Sequence, residues 1–248
     1  MLAWKLRAAG QRQAVPYTSA VAAITNKTIY ARADTATGAN AATLTTTNWD
    51  NEAVATPNFT GTATYQTAIQ NGFRGILADG SAEDIQTTST LNTITGGSGL
   101  SYTAFAVEKR TGTQGSSTAG NRYLNSGVMC DNGWLGMHFD GSSRRFLLYS
   151  FDTVAHFTDT GFDFTDNTPY VLAWKVEADG SVRVNFNGAI FTAGAGSQVD
   201  PSTKTGPFRL NKRSAGTDYG FEYIFSSDAI PSDDMDNLVD ALKLKWAI

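Results

Sequence analysis

From Tyr170 to Gly188 the chain alternates strand-forming residues with two turn dipeptides, and no other stretch limits the fold as tightly. Tyr170-Val171-Leu172-Ala173-Trp174-Lys175-Val176 leads to Asp179-Gly180, and Val182, Val184 and Phe186 then alternate as far as Asn187-Gly188. Asn-Gly and Asp-Gly suit hairpins because a type I′ turn needs positive φ at both central residues. Similar punctuation brackets Phe73, Ile76 and Leu77, at Asn71-Gly72 and Asp79-Gly80, and separates Trp134–Phe139 from Arg145–Phe151 at Asp140-Gly141. Further strand-rich runs lie at Leu100–Glu108, Phe208–Leu210 and Gly220–Phe225, and Trp49, Phe59 and Tyr65 supply core material to the Thr-rich stretch before them. Short strands repeating about every 8–12 residues, with turn signals between, predict an all-β, two-layer antiparallel sandwich.

One helix is expected, near the end of the chain. Met235, Leu238, Val239, Leu242 and Trp246 form an apolar stripe at helical spacing, which predicts packing against a sheet. Ser232 reads as the N-cap, Asp233, Asp234 and Asp236 suit the positive end of the dipole, and Lys243 and Lys245 suit the negative end.

The 248 residues are enough for one sandwich with its own core and no staple. Cys130 is the single cysteine, so no intrachain disulfide is possible. No run of ~18 apolar residues is present to cross a membrane as a helix, and Met1–Arg7 lacks the apolar run of a signal peptide. Charge is unevenly placed. Residues 1–33 hold Lys5, Arg7, Arg12, Lys27 and Arg32 and no acid, so they carry +5; the rest carries −9 of the total of −4. Because Val15-Pro16-Tyr17 is expected to break any helix, residues 1–33 read as an extended basic arm and residues 34–248 as the folded domain. Lys5, Arg7 and Arg12 are the candidate anchors on an acidic partner. Nucleic acid is not an expected partner, since the sequence pI is 5.1 and no basic groove with interleaved aromatics appears.

The order of motifs resembles the concanavalin A-like lectin/glucanase superfamily, in the laminin-G-like jelly-roll form found in phage virion proteins. Asn48-Trp49-Asp50, Pro57-Asn58-Phe59 and Asn71-Gly72 through Asp79-Gly80-Ser81 resemble its early elements. Tyr170–Lys175 with Asn185-Phe186-Asn187-Gly188 is similar to its hairpin, and Gly220–Ser226 with Pro231–Trp246 to its closing strand and terminal helix. The resemblance spans roughly residues 45–248 and implies a jelly roll. It also implies a phage virion structural protein, decorating the capsid or forming part of a head or tail fibre. On that reading the chain resides in the virion, its partners are major capsid or tail proteins, and it forms a homo-oligomer. The alternative is a lectin for host-surface glycans, and a third possibility is a glycoside hydrolase, because such scaffolds host many functions.

Residue chemistry argues against catalysis. A retaining glycosidase needs two carboxyls about 5–5.5 Å apart, and the superfamily's Glu-x-Asp-x-Glu strand is missing. Glu177 with Asp179 reads as a hairpin tip, and Asp159 with Asp163 as part of a loop interrupted by Gly161. His138 reads as a strand residue and His156, beside Phe157, as packing; with Cys130 they lack the spacing of a zinc site. No cofactor is expected except possible Ca²⁺, for which Asp159, Asp163, Asp166 and Asn167 offer hard oxygen ligands in one short segment. Glycan binding needs aromatic platforms beside planar polar groups, and Trp134, Tyr123, Tyr149, Tyr219, Asn121 and Arg122 are the candidates.

Overall fold

The computed structural model describes residues 14–37, 39–43, 52–53, 59–78, 84–90, 100–111, 130–131, 135–140, 145–151, 154–199, 207–212 and 217–248. The chain opens with helix α1 (Tyr17–Ala23) and strand β1 (Lys27–Arg32). Strands β2 (Phe59–Gly61), β3 (Thr64–Gln70), β4 (Phe73–Ala78), β5 (Asp84–Thr90), β6 (Tyr102–Thr111), β7 (Cys130–Asp131) and β8 (Leu135–Asp140) follow. Then come β9 (Arg145–Phe151), β10 (Ala155–Asp163), β11 (Pro169–Val176), β12 (Val182–Phe186), β13 (Ala189–Ala193), β14 (Pro207–Lys212), β15 (Thr217–Ser226) and helix α2 (Ser232–Trp246).

Among the described residues the strands form two antiparallel sheets, which is the two-layer all-β sandwich expected from the turn spacing. One has eight strands, ordered β13-β12-β11-β6-β15-β4-β3 with β1 added on β15; the other has seven, ordered β10-β9-β8-β7-β14-β5-β2. Local turn chemistry sets the hairpins. Asn71 (φ 48°) and Gly72 (φ 76°) join β3 to β4, and Asn187 (φ 52°) and Gly188 (φ 100°) join β12 to β13, both with the positive pair a type I′ turn needs. At Asp179-Gly180 only the glycine is left-handed (φ 80°), and the Glu177 N–H donates to the Ser181 carbonyl at 2.9 Å, so this loop is wider than a two-residue turn.

Two apolar layers result. Between the sheets, inward residues of β6, β9, β11 and β15 meet, including Tyr102, Phe146, Leu148, Leu172, Trp174, Tyr223 and Phe225. The outer side of the eight-stranded sheet forms a second layer, in which Phe105, Val107, Val171, Ala173, Phe221 and Ile224 pack against Met235, Leu238, Val239, Leu242 and Trp246 of α2. All five stripe residues of α2 are fully buried. Each such burial contributes on the order of 1.5–3 kcal/mol, against about 0.3–1 kcal/mol for a charge near a helix end, so packing dominates the docking of α2.

Two expectations need correction. The first concerns residues 17–32, which belong to the sandwich rather than to an extended arm. Pro16 starts a helix instead of breaking one: it stands at the N-cap of α1, and its carbonyl accepts from the Ala20 N–H at 2.9 Å. β1 then pairs with β15, and Ile29 and Ala31 are fully buried between the sheets. The anchors Lys5, Arg7 and Arg12 lie outside the described residues. The second correction is small: Pro231, not Ser232, is the N-cap of α2, because its carbonyl already accepts from the Met235 N–H at 3.1 Å. None of the described helices is long and apolar enough to cross a membrane.

Candidate functional site

One face of the eight-stranded sheet packs on the other sheet, and the other is covered by α2 over β6, β11 and β15, while Ile190 at the β13 edge stays 43% exposed. On the outer face of the seven-stranded sheet the described side chains lie on β9 and β10, where Leu147 and Tyr149 are buried and Phe157, Asp159, Asp163 and Arg145 reach solvent. Register pairs Tyr149 with Phe157, Leu147 with Asp159 and Arg145 with Asp163. Residues directly opposite each other share a face, so these three pairs form one surface. Their neighbours Phe146 and Leu148 point the other way, into the core.

At one end of this surface an aromatic ring is presented to solvent. Phe157 is 41% exposed, and its ring lies 4.9 Å, centroid to centroid, from that of Tyr149, which is 1% exposed. Tyr149 thus packs against the exposed ring from the neighbouring strand. Burial pushes its hydroxyl up to about 12. Val154, at 62%, adds apolar surface at the entry to β10. Toward the other end is a planar polar cluster. Arg145 donates from Nε to Asp163 Oδ1 at 3.1 Å and from Nη1 to Asp159 Oδ2 at 3.3 Å, with all three side chains about half exposed. The two carboxylates raise the guanidinium above its ordinary value, through hydrogen bonds to Asp163 first and Asp159 second. From Arg145 to Tyr149 the strand rises ~13 Å, a span that suits an oligosaccharide better than a single ring.

The sequence candidates fall in several places. Tyr149 is in this site but buried, packed against Phe157. Tyr219 is on the outer face of the opposite sheet, half-buried and stacked on Phe221 at 6.5 Å, with the Lys109 ammonium 4.9 Å from its ring centroid. The two tyrosines therefore do not share a site. Trp134, Tyr123, Asn121 and Arg122 lie outside the described residues.

Of the four oxygen-bearing residues considered for calcium, Asp159 and Asp163 sit on a strand, not in a loop. Gly161 (φ 71°) produces a register shift between them, and its N–H donates to Asp159 Oδ1 at 2.8 Å. Both carboxylates are bridged by Arg145, while Asp166 and Asn167 follow in the turn toward β11, where the Asn167 N–H donates to the Arg110 carbonyl at 2.6 Å. Among the described residues no group of three or more His, Cys, Asp or Glu is placed to hold a metal ion.

Phe157 is the residue the sequence candidates left out, named only as the neighbour of His156. Its signal was present: a large apolar residue in phase with Asp159 on a strand has to sit on the solvent side if Asp159 does.

Two buried polar networks are the other concentrations of chemistry. Inside the sandwich, Glu108 accepts from the Tyr223 hydroxyl at 2.7 Å, the Tyr170 hydroxyl at 2.8 Å and Arg110 Nη2 at 2.9 Å. Glu108 and Arg110 are both fully buried, so no substrate reaches them. Under α2, Glu222 accepts from Lys245 Nζ at 2.7 Å, from Trp246 Nε1 at 2.9 Å and from the Tyr17 hydroxyl. Burial raises the Glu222 carboxyl, opposed chiefly by Lys245. This network ties α1 and β15 to α2.

No protein-family model matches the chain, and no curated protein resembles it in sequence. Solved structures do resemble it. Domain 4 of AbnA, a GH43 extracellular arabinanase from Geobacillus stearothermophilus in complex with arabinotriose, is 14% identical at a TM-score of 0.57; the match covers 77% of this chain and 92% of that one. The binding domain of Paraclostridial Mosquitocidal Protein 1 is 9% identical at a TM-score of 0.61, over 86% of this chain and 52% of that one. Trypanosoma rangeli sialidase in complex with sialic acid is 10% identical at 0.55, over 88% and 33%. This chain thus spans about half the length of the mosquitocidal binding domain and a third of the sialidase. What they share with this chain is the β-sandwich fold.

Proposed function

We propose that the chain is a non-enzymatic carbohydrate-binding module whose ligand lies across β9 and β10 on the outer face of the seven-stranded sheet. The observation that carries this reading is the half-exposed Phe157 ring, packed against buried Tyr149 and standing on the same surface as Arg145, Asp159 and Asp163. Saccharides present apolar C–H faces ringed by hydroxyls, and sites for them combine an apolar floor with a few fixed polar groups. Phe157 provides the floor. The guanidinium provides donors, and the carboxylates provide acceptors whose positions are fixed by their bonds to Arg145. The arabinotriose-bound domain supports the reading because this chain matches nearly all of it.

The polar cluster also supports binding without turnover. Glycoside hydrolysis needs two carboxyls flanking the scissile bond, and here one guanidinium stands between Asp159 and Asp163. The virion setting, with capsid or tail partners and a homo-oligomeric module displayed toward cell-surface glycans, rests on the sequence resemblance alone. Detection of the chain in purified particles tests that setting; its absence from them removes the setting and leaves the module.

The module itself is tested by presenting the protein to a glycan array and titrating the best binder against wild type and Phe157→Ala. The variant is expected to bind more than tenfold more weakly, about 1.4 kcal/mol, with an unchanged fold by circular dichroism. An empty array, or a binder indifferent to Phe157→Ala, would remove the site.

A further inference from the structure

The saccharide-bound neighbours divide by charge: arabinotriose is neutral and sialic acid carries a carboxylate. Their identity to this chain is too low to choose between the two classes, but the polar cluster on β9 and β10 does choose. Resting on the module reading above, we infer that this face takes uncharged oligosaccharides and rejects sialylated ones.

A sialic acid carboxylate is recognised by a cation with donors to spare, and arginine suits it because its fork matches two carboxylate oxygens. Among the described side chains of this face Arg145 is the cation, and its charge is already outnumbered by the two carboxylates bonded to it. Nε serves Asp163 and Nη1 serves Asp159, leaving one guanidinium against two carboxylates, a formal charge of −1. An incoming carboxylate meets both aspartates beside the one guanidinium, so repulsion from two negative charges opposes attraction to one positive charge. The whole chain, at −4, has the same sign as the cluster.

A neutral saccharide meets no such repulsion. Its hydroxyls donate to the aspartates and accept from the guanidinium, and its apolar face rests on Phe157.

The test is a set of matched glycans, lactose against 3′-sialyllactose and a wider array of neutral members with their sialylated counterparts. They are presented to wild type and to the double variant Asp159→Asn, Asp163→Asn. Wild type is expected to bind neutral members at least tenfold better than their sialylated counterparts. The double variant, whose cluster becomes +1, is expected to narrow that ratio severalfold and to do so less at high salt. Phe157→Ala lowers binding of neutral and sialylated members alike, so it reports on the module and not on the charge selection. A wild-type preference for sialylated members, or an unchanged ratio in a folded double variant, overturns the selection and leaves the module standing. Binding to no member removes both.

Discussion

Strands β11 and β10 come from opposite layers of the sandwich, and their outward residues meet different fates. On β11 the inward Tyr170, Leu172 and Trp174 fill the core, and the outward Val171 and Ala173 are also fully buried, beneath α2. On β10 the inward Thr158 and Thr160 are buried and hydrogen-bonded, while the outward Phe157 and Asp159 are exposed. The helix makes the difference. By covering one sheet it turns that sheet into a structural layer, and the other sheet keeps a face on which residues are free to serve a ligand. An aromatic ring on the covered side is stability; a ring on the open side is a candidate contact.

That contrast can be broken most forcefully at Trp246. Trp246→Ala removes a fully buried ring between α2 and Phe221 and takes the indole donor from Glu222. We expect a loss of about 3–5 kcal/mol in denaturant unfolding, with glycan affinity unchanged in the protein that remains folded. A loss below about 1 kcal/mol would mean α2 does not seal the sheet.

Alkali probes both layers at once. Burial raises Tyr149 and Tyr30 to about 12, and raises Tyr223 well above its ordinary value. A folded-state pKa above the unfolded value near 10 contributes stability that is complete below pH 10 and lost as pH rises through the folded value. Tyrosinate absorbance is therefore expected to appear together with unfolding between about pH 10 and pH 12. Smooth titration of all tyrosines near pH 10 in a folded protein would contradict the burial.

On the open side, Phe157→Ala is expected to change stability by less than about 1 kcal/mol while weakening binding more than tenfold, the reverse of Trp246→Ala. Smallest of all is the effect of chelation: because Arg145 bridges Asp159 and Asp163, EDTA is expected to leave Tm unchanged, and a fall of several degrees would reveal a metal.

What was readable in the sequence was local. Asn71-Gly72 and Asn187-Gly188 give their turns because positive φ is a property of those two residues, whatever surrounds them. The stripe of α2 was equally plain, since five apolar residues on one helical face have to be covered. Phe59 and Tyr65 were recognisable as core for the same reason, and both are fully buried. The N-terminal boundary failed because β1 is short and its justification is distant: Ile29 and Ala31 become core only when β15, almost 200 residues later, lies beside them. Gly161 was correctly seen as an interruption, but a bulge and a loop look alike without the partner strand β9.

The sequence by itself determined the turn-bounded hairpins, the C-terminal helix and the layered class, because turn conformations and apolar periodicity depend on neighbours along the chain. Which sheet face α2 covers, that Tyr149 is buried while Phe157 contacts solvent, and that Arg145 joins Asp159 to Asp163 were decided only by tertiary structure. Those outcomes depend on register and on packing between segments far apart in the chain, and no local pattern encodes them.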